Sequence, residues 1–144
     1  MAAQILFWML RAPDGHAKNF SIHLLPDGRF RLTPLYDVMS AYPAMGDGPN
    51  RWSPRELKLA TALVGKNRHC EAEHIQRRHF NSSARRLGFG EDAEALLQDF
   101  IARTPAVVEQ VQREVPAGFS QLVLNKVLAG LMRAARALEK MPAN

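Results

Sequence analysis

The sequence has 144 residues, of which 47% are hydrophobic and 23% are charged. This composition is ordinary for a globular domain with its own core, and it excludes intrinsic disorder as the global state. The longest apolar run, residues 5–10, is far shorter than the roughly 20 residues of a membrane span, which excludes a transmembrane helix. The single cysteine, Cys70, and the lack of a basic leader favour a cytoplasmic protein.

The formal net charge of +5 is concentrated in one part of the chain. Residues 51–90 contain nine basic and three acidic residues, 9 − 3 = +6, whereas the remaining residues sum to −1. Such a segment is typical of a surface that faces phosphate or an acidic partner. It is also typical of a solvated basic face, and the charge distribution alone favours this second interpretation.

The first third of the chain predicts a helix, a loop and a hairpin. Residues 3–12 are good helix formers and mostly apolar, which indicates a buried helix that ends at Pro13. After a polar loop, residues 20–25 and 29–33 alternate around Pro26-Asp27-Gly28, which predicts a β-hairpin. Residues 34–54 contain four prolines and are expected to form a long structured loop.

The segment after this loop has two conflicting patterns. Residues 53–56 (SPRE) have the pattern of a helix capping box with proline at the first helical position. The leucines at positions 57, 59 and 63 alternate as they would in a strand. The pattern therefore leaves helix or strand open at residues 57–64.

Amphipathic helices are predicted for the rest of the chain. They span residues 76–87, 91–115 and 119–140, where apolar side chains recur every three or four positions. The first of them is basic and has Phe80 and Leu87 on its apolar side.

The loop after Pro13 has a residue pattern suited to phosphoryl transfer. Asp14 and Asn19 have the five-residue spacing found in protein kinases between the Asp that accepts a hydroxyl proton and an Asn that binds magnesium. Asp37 follows the hairpin, where a second magnesium-binding Asp is expected, and Lys18 would neutralise the transferring phosphoryl group. The alternative is that Asp14, Asn19 and Asp37 are ordinary turn residues.

The string DGHAKNFSIHL, followed after the hairpin by RLTPLYDVMSAYP, resembles the HipA family of bacterial serine/threonine kinase toxins. Members carry a D-x-H-x-K-N-F loop and, after a hairpin, a T/S-P-x-Y-D segment. The matching residues are Asp14, His16, Lys18, Asn19, Phe20, Pro34, Tyr36 and Asp37. The stretches LKLA (residues 57–60) and RHF (residues 78–80) are also similar to that family, so the resemblance runs in order along nearly the whole chain.

The resemblance implies a mainly α fold with small β-hairpins, the helical C-terminal lobe of a kinase-like (HipA-type) enzyme. It also favours a strand at residues 57–64. A glycine-rich phosphate loop and an upstream lysine are not found in the sequence, so the nucleotide-binding N-lobe is expected to be absent. The expected parts of residues 1–144 are a helix (1–12), a catalytic loop (13–19), a hairpin (20–33), a metal-binding and long loop (34–54), a basic segment (55–90) and a helical subdomain (91–140).

The resemblance further implies the roles of individual residues. These are Asp14 as catalytic base, Asn19 and Asp37 as Mg²⁺ ligands, and His16, Lys18 and Tyr36 together with those two ligands as contacts to ATP or its phosphates. The implied reaction is transfer of the ATP γ-phosphate to a protein serine or threonine. The family's known kind of substrate is an aminoacyl-tRNA synthetase, and a small helix-turn-helix antitoxin that also binds operator DNA neutralises the toxin.

Two further expectations concern this chain by itself. Without a nucleotide lobe, in the same chain or supplied by another, we expect weak or no ATP binding and no activity. Arg85 matches a basic position that approaches DNA in the family's antitoxin complex, although Gly88 stands where the next basic contact would follow. The alternative is a non-enzymatic, truncated module that binds an antitoxin-like partner or DNA through residues 51–90.

Overall fold

The structure, a computed structural model, describes residues 1–143. Within these residues the elements are four α-helices, two short 3-10 helices and two antiparallel two-stranded sheets. The helices and strands are α1 (Ala2–Leu10), β1 (Ile22–Leu24), β2 (Phe30–Leu32), β3 (Lys58–Val64), β4 (Arg68–Glu71), α2 (Arg77–Arg86), α3 (Glu94–Glu114) and α4 (Gln121–Lys140). The predicted mainly α fold with small β-hairpins is confirmed.

The core forms around α1, which is too short to be stable alone and is held by the apolar side chains that it buries. Ile5, Trp8 and Met9 are almost completely buried against β3, α2 and α4. The Trp8 ring packs edge-on against Phe80 of α2, with ring centroids 5.9 Å apart. Among the described residues, no helix combines the length and apolar character needed to cross a membrane.

The prediction left open at residues 57–64 is decided in favour of a strand. Leu57, Leu59 and Leu63 are buried, and β3 pairs with β4 across a short turn. The capping-box interpretation of residues 53–56 is wrong, because the Ser53 hydroxyl and carbonyl accept the N–H groups of Arg55 and Glu56 in a single turn. The alternating leucines can be buried only in extended backbone, so tertiary burial overrides the local capping signal.

The predicted hairpin is present and exposed on both of its faces. Ile22 pairs with Leu32 and Leu24 pairs with Phe30, and Asp27 at the turn has a φ of 63°. The side chains of Leu24, Phe30 and Leu32 are 81%, 68% and 67% exposed. An isolated two-stranded sheet is marginally stable in water, so these apolar side chains mark a surface that suits a partner.

The end of α2 differs from the prediction in one residue. Phe80 is buried as expected, but Leu87 lies after the last residue of α2 and is 61% exposed. The chain turns away from the core at Gly88, which has a φ of 74°. Leu87 therefore falls outside the apolar side of the helix that its spacing assigned it to.

An ion pair between a buried arginine and a partly exposed glutamate joins the three C-terminal helices. Arg77, only 5% exposed, donates from Nε to both carboxylate oxygens of Glu94, at 3.1 and 2.9 Å, and its Nη1 donates to the Leu138 carbonyl at 3.1 Å. The Asn81 amide donates to the same carboxylate at 2.7 Å. The hydrogen bond from Arg77 is the main cause that lowers the pKa of Glu94, so the carboxylate stays ionised.

Glu94→Ala leaves the Arg77 guanidinium buried without its carboxylate, so we expect the free energy of unfolding to fall by about 3 kcal/mol. Glu91→Ala is the matched control, because the Glu91 carboxylate lies 3.8 Å from Arg85 in an exposed pair. Such surface pairs contribute about 0–1 kcal/mol. Urea denaturation measures both values, and equal losses would show that the pair of Arg77 and Glu94 does not hold these helices together.

Burial, followed by the charges of His69 and Arg78, lowers the pKa of His79 from 6.5 to about 4. Its ring stacks on His69 with centroids 3.7 Å apart, and its Nδ1 accepts the Gln76 N–H at 3.1 Å. Between these two pKa values only the unfolded chain takes up the proton, so stability present above pH 6.5 is lost as the pH falls towards 4.

His79→Gln removes this titration, so the free energy of unfolding of the variant should fall less than that of the wild type between pH 7 and pH 5. Gln98→Ala on the exposed side of α3 is the control, because it removes no titratable group and should keep the wild-type pH dependence. Thermal or urea denaturation at the two pH values makes the comparison. An identical fall in wild type and His79→Gln would contradict the effect of burial on His79.

Candidate active site

The loop of residues 13–19 is tied to β3 on both sides of Asp14. The Pro13 carbonyl accepts the Ala60 N–H at 2.8 Å, and the Gly15 carbonyl accepts the Thr61 hydroxyl at 2.9 Å. Because β3 is anchored by buried leucines, these bonds give the short stretch around Asp14 two attachment points. The sequence pattern pointed to Asp14 but carried no signal for Thr61.

Gly15 is required by a close approach to α1. A Cβ at this position would lie 2.2 Å from a ring atom of Phe7, and the same ring packs edge-on against Phe20 at 6.1 Å. Only a residue without a side chain lets the loop cross the Phe7 ring at this distance. The contact places the loop against the helix that precedes it.

Asn19 and Asp37, predicted to act together, are in contact. Asn19 is 3% exposed, and its Nδ2 donates to the Asp37 Oδ2 at 3.2 Å. Its Oδ1 accepts the His16 N–H at 3.1 Å, which fixes the orientation of the amide. The hairpin lies between the two residues in sequence, and its reversal of the chain direction brings them into contact.

The segment that carries Asp37 is attached to the loop through Tyr36. The Tyr36 hydroxyl donates to the Lys18 carbonyl at 2.7 Å and lies 2.8 Å from the Ser21 hydroxyl. Asp37 itself has a φ of 56°, a left-handed conformation that Asp adopts more readily than most residues. The Tyr36 hydroxyl therefore acts as an anchor, while 43% of the side chain remains exposed.

The end of α1 holds the same segment from the other side. The Met9 carbonyl accepts the Tyr42 hydroxyl at 3.0 Å, and the Leu10 carbonyl accepts the Ser40 hydroxyl at 2.6 Å. The last carbonyls of a helix have no partner inside it, so these bonds complete the helix end while they fix the chain after Asp37.

Asp14 presents its carboxylate to solvent. The side chain is 55% exposed, and its Oδ1 lies 3.2 Å from the His16 Nε2. The His16 Nδ1 is buried and has no hydrogen-bond partner within residues 1–143. Lys18 is exposed and makes no ion pair with any described residue, so its ammonium is free to meet an anion.

Asn19 and Asp37 can supply only part of the coordination shell of Mg²⁺, so other oxygen ligands must complete it. The described residues contain no group of three or more His, Cys, Asp or Glu side chains able to hold a metal ion. Mg²⁺ commonly takes one or two protein oxygens and completes its shell with water and phosphate. Here the amide nitrogen of Asn19 faces Asp37, so an amide hydrogen lies between the two groups.

The basic segment offers a smaller positive surface than its sequence indicates, because Arg77 is buried in the ion pair with Glu94. Arg85 is exposed on α2 and donates from Nε to the Glu91 carbonyl at 3.1 Å. It lies apart from the loop and the hairpin in sequence, and no bond in the described part of the chain joins it to them.

One comparison with known proteins identifies the region. The model of the HipA-like C-terminal domain family matches residues 1–108. The matched part runs from α1 into α3 and therefore contains the loop, the hairpin, Asp37 and both sheets. It covers three quarters of the 144 residues.

Gly15→Ala would place a methyl group 2.2 Å from an atom of the Phe7 ring. We expect this overpacking to lower the free energy of unfolding by about 1–3 kcal/mol. Gly65→Ala is the matched control, because a Cβ there would lie 3.4 Å from the Ser82 Cβ, an ordinary contact. Urea denaturation compares the two, and a Gly15→Ala protein as stable as the control would contradict the close approach.

Proposed function

The chain belongs to the HipA-like C-terminal domain family, and on this basis we propose that it is the catalytic lobe of a HipA-like toxin kinase. The reaction is transfer of the ATP γ-phosphate to a serine or threonine hydroxyl of a protein. The observation that supports it most directly is the contact between Asn19 and Asp37 beside the loop that carries Asp14. Phosphoryl transfer of the protein-kinase type uses a catalytic Asp together with an Asn and a second Asp that bind magnesium.

In this proposal Asp14 accepts the proton of the attacking hydroxyl. As the new bond from that oxygen to the γ-phosphorus forms, the bond between phosphorus and the bridging oxygen of ADP breaks, and ADP leaves with the electron pair. The carboxylate suits this role because it is solvent-exposed and because His16 Nε2 holds one of its oxygens at 3.2 Å.

Asn19 and Asp37 would hold Mg²⁺ through their amide and carboxylate oxygens once the Asn19 amide turns so that Oδ1, in place of Nδ2, faces Asp37. When bound, the ion neutralises charge on the β- and γ-phosphates. The protein's own part is to hold both residues in place, Asn19 by burial and Asp37 through Tyr36 and Ser40 on either side. The exposed Lys18 ammonium would meet the transferring phosphoryl group.

The exposed hairpin is the surface that we assign to a nucleotide-binding lobe, supplied by the same polypeptide or by another. β1 and β2 expose apolar side chains on both faces, next to the segment that carries Tyr36 and Asp37. Adenine needs an apolar enclosure, and a lobe packed on this hairpin would both cover the strands and complete that enclosure. The described residues by themselves do not form a closed apolar enclosure for adenine.

The partners in this proposal follow from family membership. They are a protein substrate, with an aminoacyl-tRNA synthetase as the kind of target, and a small helix-turn-helix antitoxin. In a complex of the antitoxin with DNA, the exposed Arg85 on α2 would be a candidate contact to the DNA backbone.

The test is a phosphotransfer assay with γ-labelled ATP on the chain combined with a nucleotide-binding lobe of this family. Asp14→Asn keeps the size of the side chain but removes the base, so we expect a loss of labelled protein of at least about a hundredfold. Asp37→Asn should raise the Mg²⁺ concentration that half-saturates the reaction. Asp99→Asn on α3, whose exposed carboxylate lies 3.2 Å from the Arg103 Nη1 and outside the loop, the hairpin and the Asp37 segment, is the control and should leave the rate unchanged.

Full activity of Asp14→Asn would contradict the role given to that carboxylate, and an unchanged Mg²⁺ requirement in Asp37→Asn would contradict its role as ligand. The chain by itself should not saturate with Mg-ATP in the micromolar range, because its hairpin lacks a cover. Micromolar affinity of the isolated chain would show that no second lobe is needed.

A further inference from the structure

A cavity of about 660 Å³ lies between the end of α1, the loop that follows Asp37 and α4. Its walls include Trp8 and Arg11 on one side, Tyr42 in the middle, and Lys126 and Arg133 of α4 on the other. It contains none of the candidate active-site residues. Cavities of about 300–1,000 Å³ are typical of sites for small molecules.

The charge in this cavity is predominantly positive. Arg11, Lys126 and Arg133 line it, against one carboxylate, that of Glu73. None of the three cations forms an ion pair within residues 1–143. A bound anion would give these three cations a direct partner.

The cations are held in place by contacts that leave their charge unpaired. Arg11 lies over the Trp8 ring at 4.9 Å and donates from Nη1 to the Ala72 carbonyl at 2.8 Å. Arg133 lies over the Tyr42 ring at 5.6 Å. Burial is the largest cause that lowers the pKa of Arg11, whereas the charges of Tyr42 and Glu73 raise it. Groups fixed in advance lose little entropy when a ligand binds.

The wall between the cations is apolar and tightly fitted. A Cβ at Gly130 would lie 2.3 Å from the Tyr42 ring, so the ring lies directly on the backbone of α4. The Tyr42 hydroxyl is taken by the Met9 carbonyl and does not point to a ligand. The other apolar residues of the lining are Met45, Pro54, Leu122, Ala129, Ala134 and Ala137.

We propose that this cavity binds an organic anion, a small molecule in which a carboxylate or phosphate adjoins an apolar group. The anionic group would lie among Arg11, Lys126 and Arg133, where guanidinium groups pair with it through two hydrogen bonds. The apolar group would lie against Tyr42 and the small side chains of α4. This site is independent of the phosphotransfer proposed above.

The probe for the test is 8-anilinonaphthalene-1-sulfonate, a fluorescent dye with one anionic and one apolar part. The wild-type chain should bind it at one site, and binding should weaken with added salt. The chain has two tryptophans, so a Trp52→Phe variant assigns the indole NMR signal of Trp8, which lines the cavity. That signal should shift and saturate with the dye.

Lys126→Met and Arg133→Met should each weaken the shift-detected affinity about tenfold, because each removes one charge-assisted contact. Arg136→Met is the matched control, since Arg136 is exposed on the same helix and outside the cavity. Circular dichroism checks that each variant is folded.

Three results would overturn the proposal. One is dye fluorescence without a shift of the Trp8 signal, which would place the dye on the exposed hairpin. Another is equal weakening by Arg136→Met and the two cavity variants. The third is an equally strong Trp8 shift from N-phenyl-1-naphthylamine, the uncharged relative of the dye, which would show an apolar cavity without preference for anions. If a variant does not fold, the wild-type comparison of the two dyes decides.

Discussion

The C-terminal end of α1 is the point on which the candidate active site depends. Its last carbonyls need partners from outside the helix, and the Ser40 and Tyr42 hydroxyls provide them. The chain on one side of this end leads within a few residues to Asp14, and the residues that cap it follow directly after Asp37. Completing one helix end therefore ties the segment that follows Asp37 to the helix that leads into the loop of Asp14.

Because α1 is buried, the segments attached to its end are held in place. The hairpin, in contrast, exposes apolar side chains that no described residue covers. Trp8 anchors α1 in the core, whereas Phe7 faces the loop and allows only Gly15 to cross it. Beyond Asn19 the chain leaves the core, and β1 and β2 expose apolar side chains on both faces. The segment that carries Asn19 and Asp37 is therefore anchored, whereas the hairpin beside it is uncovered.

The helices and the hairpin were predictable because each depends on local pattern, whereas the roles of Asp14, Asn19 and Asp37 remain a prediction. Periodic apolar residues predict amphipathic helices, and the spacing of Asp14, Asn19 and Asp37 carries the chemistry of kinases. Residues 53–64 were not settled locally, since a capping box competed with alternating leucines and only burial of Leu59 and Leu63 decides for a strand. Family membership over residues 1–108 agrees with the resemblance read from the motifs.

By itself the sequence determined the fold class and the positions of the helices and indicated candidate residues for phosphoryl transfer, because periodicity and motif spacing are properties of neighbouring residues. Only the tertiary structure decided which groups meet. Several contacts join residues that are far apart in the chain. The Thr61 hydroxyl donates to the Gly15 carbonyl, and Arg77 pairs with Glu94 and so adds nothing to a basic surface. Arg11 and Arg133 line one cavity. Such contacts follow from packing around α1, and no local pattern encodes them.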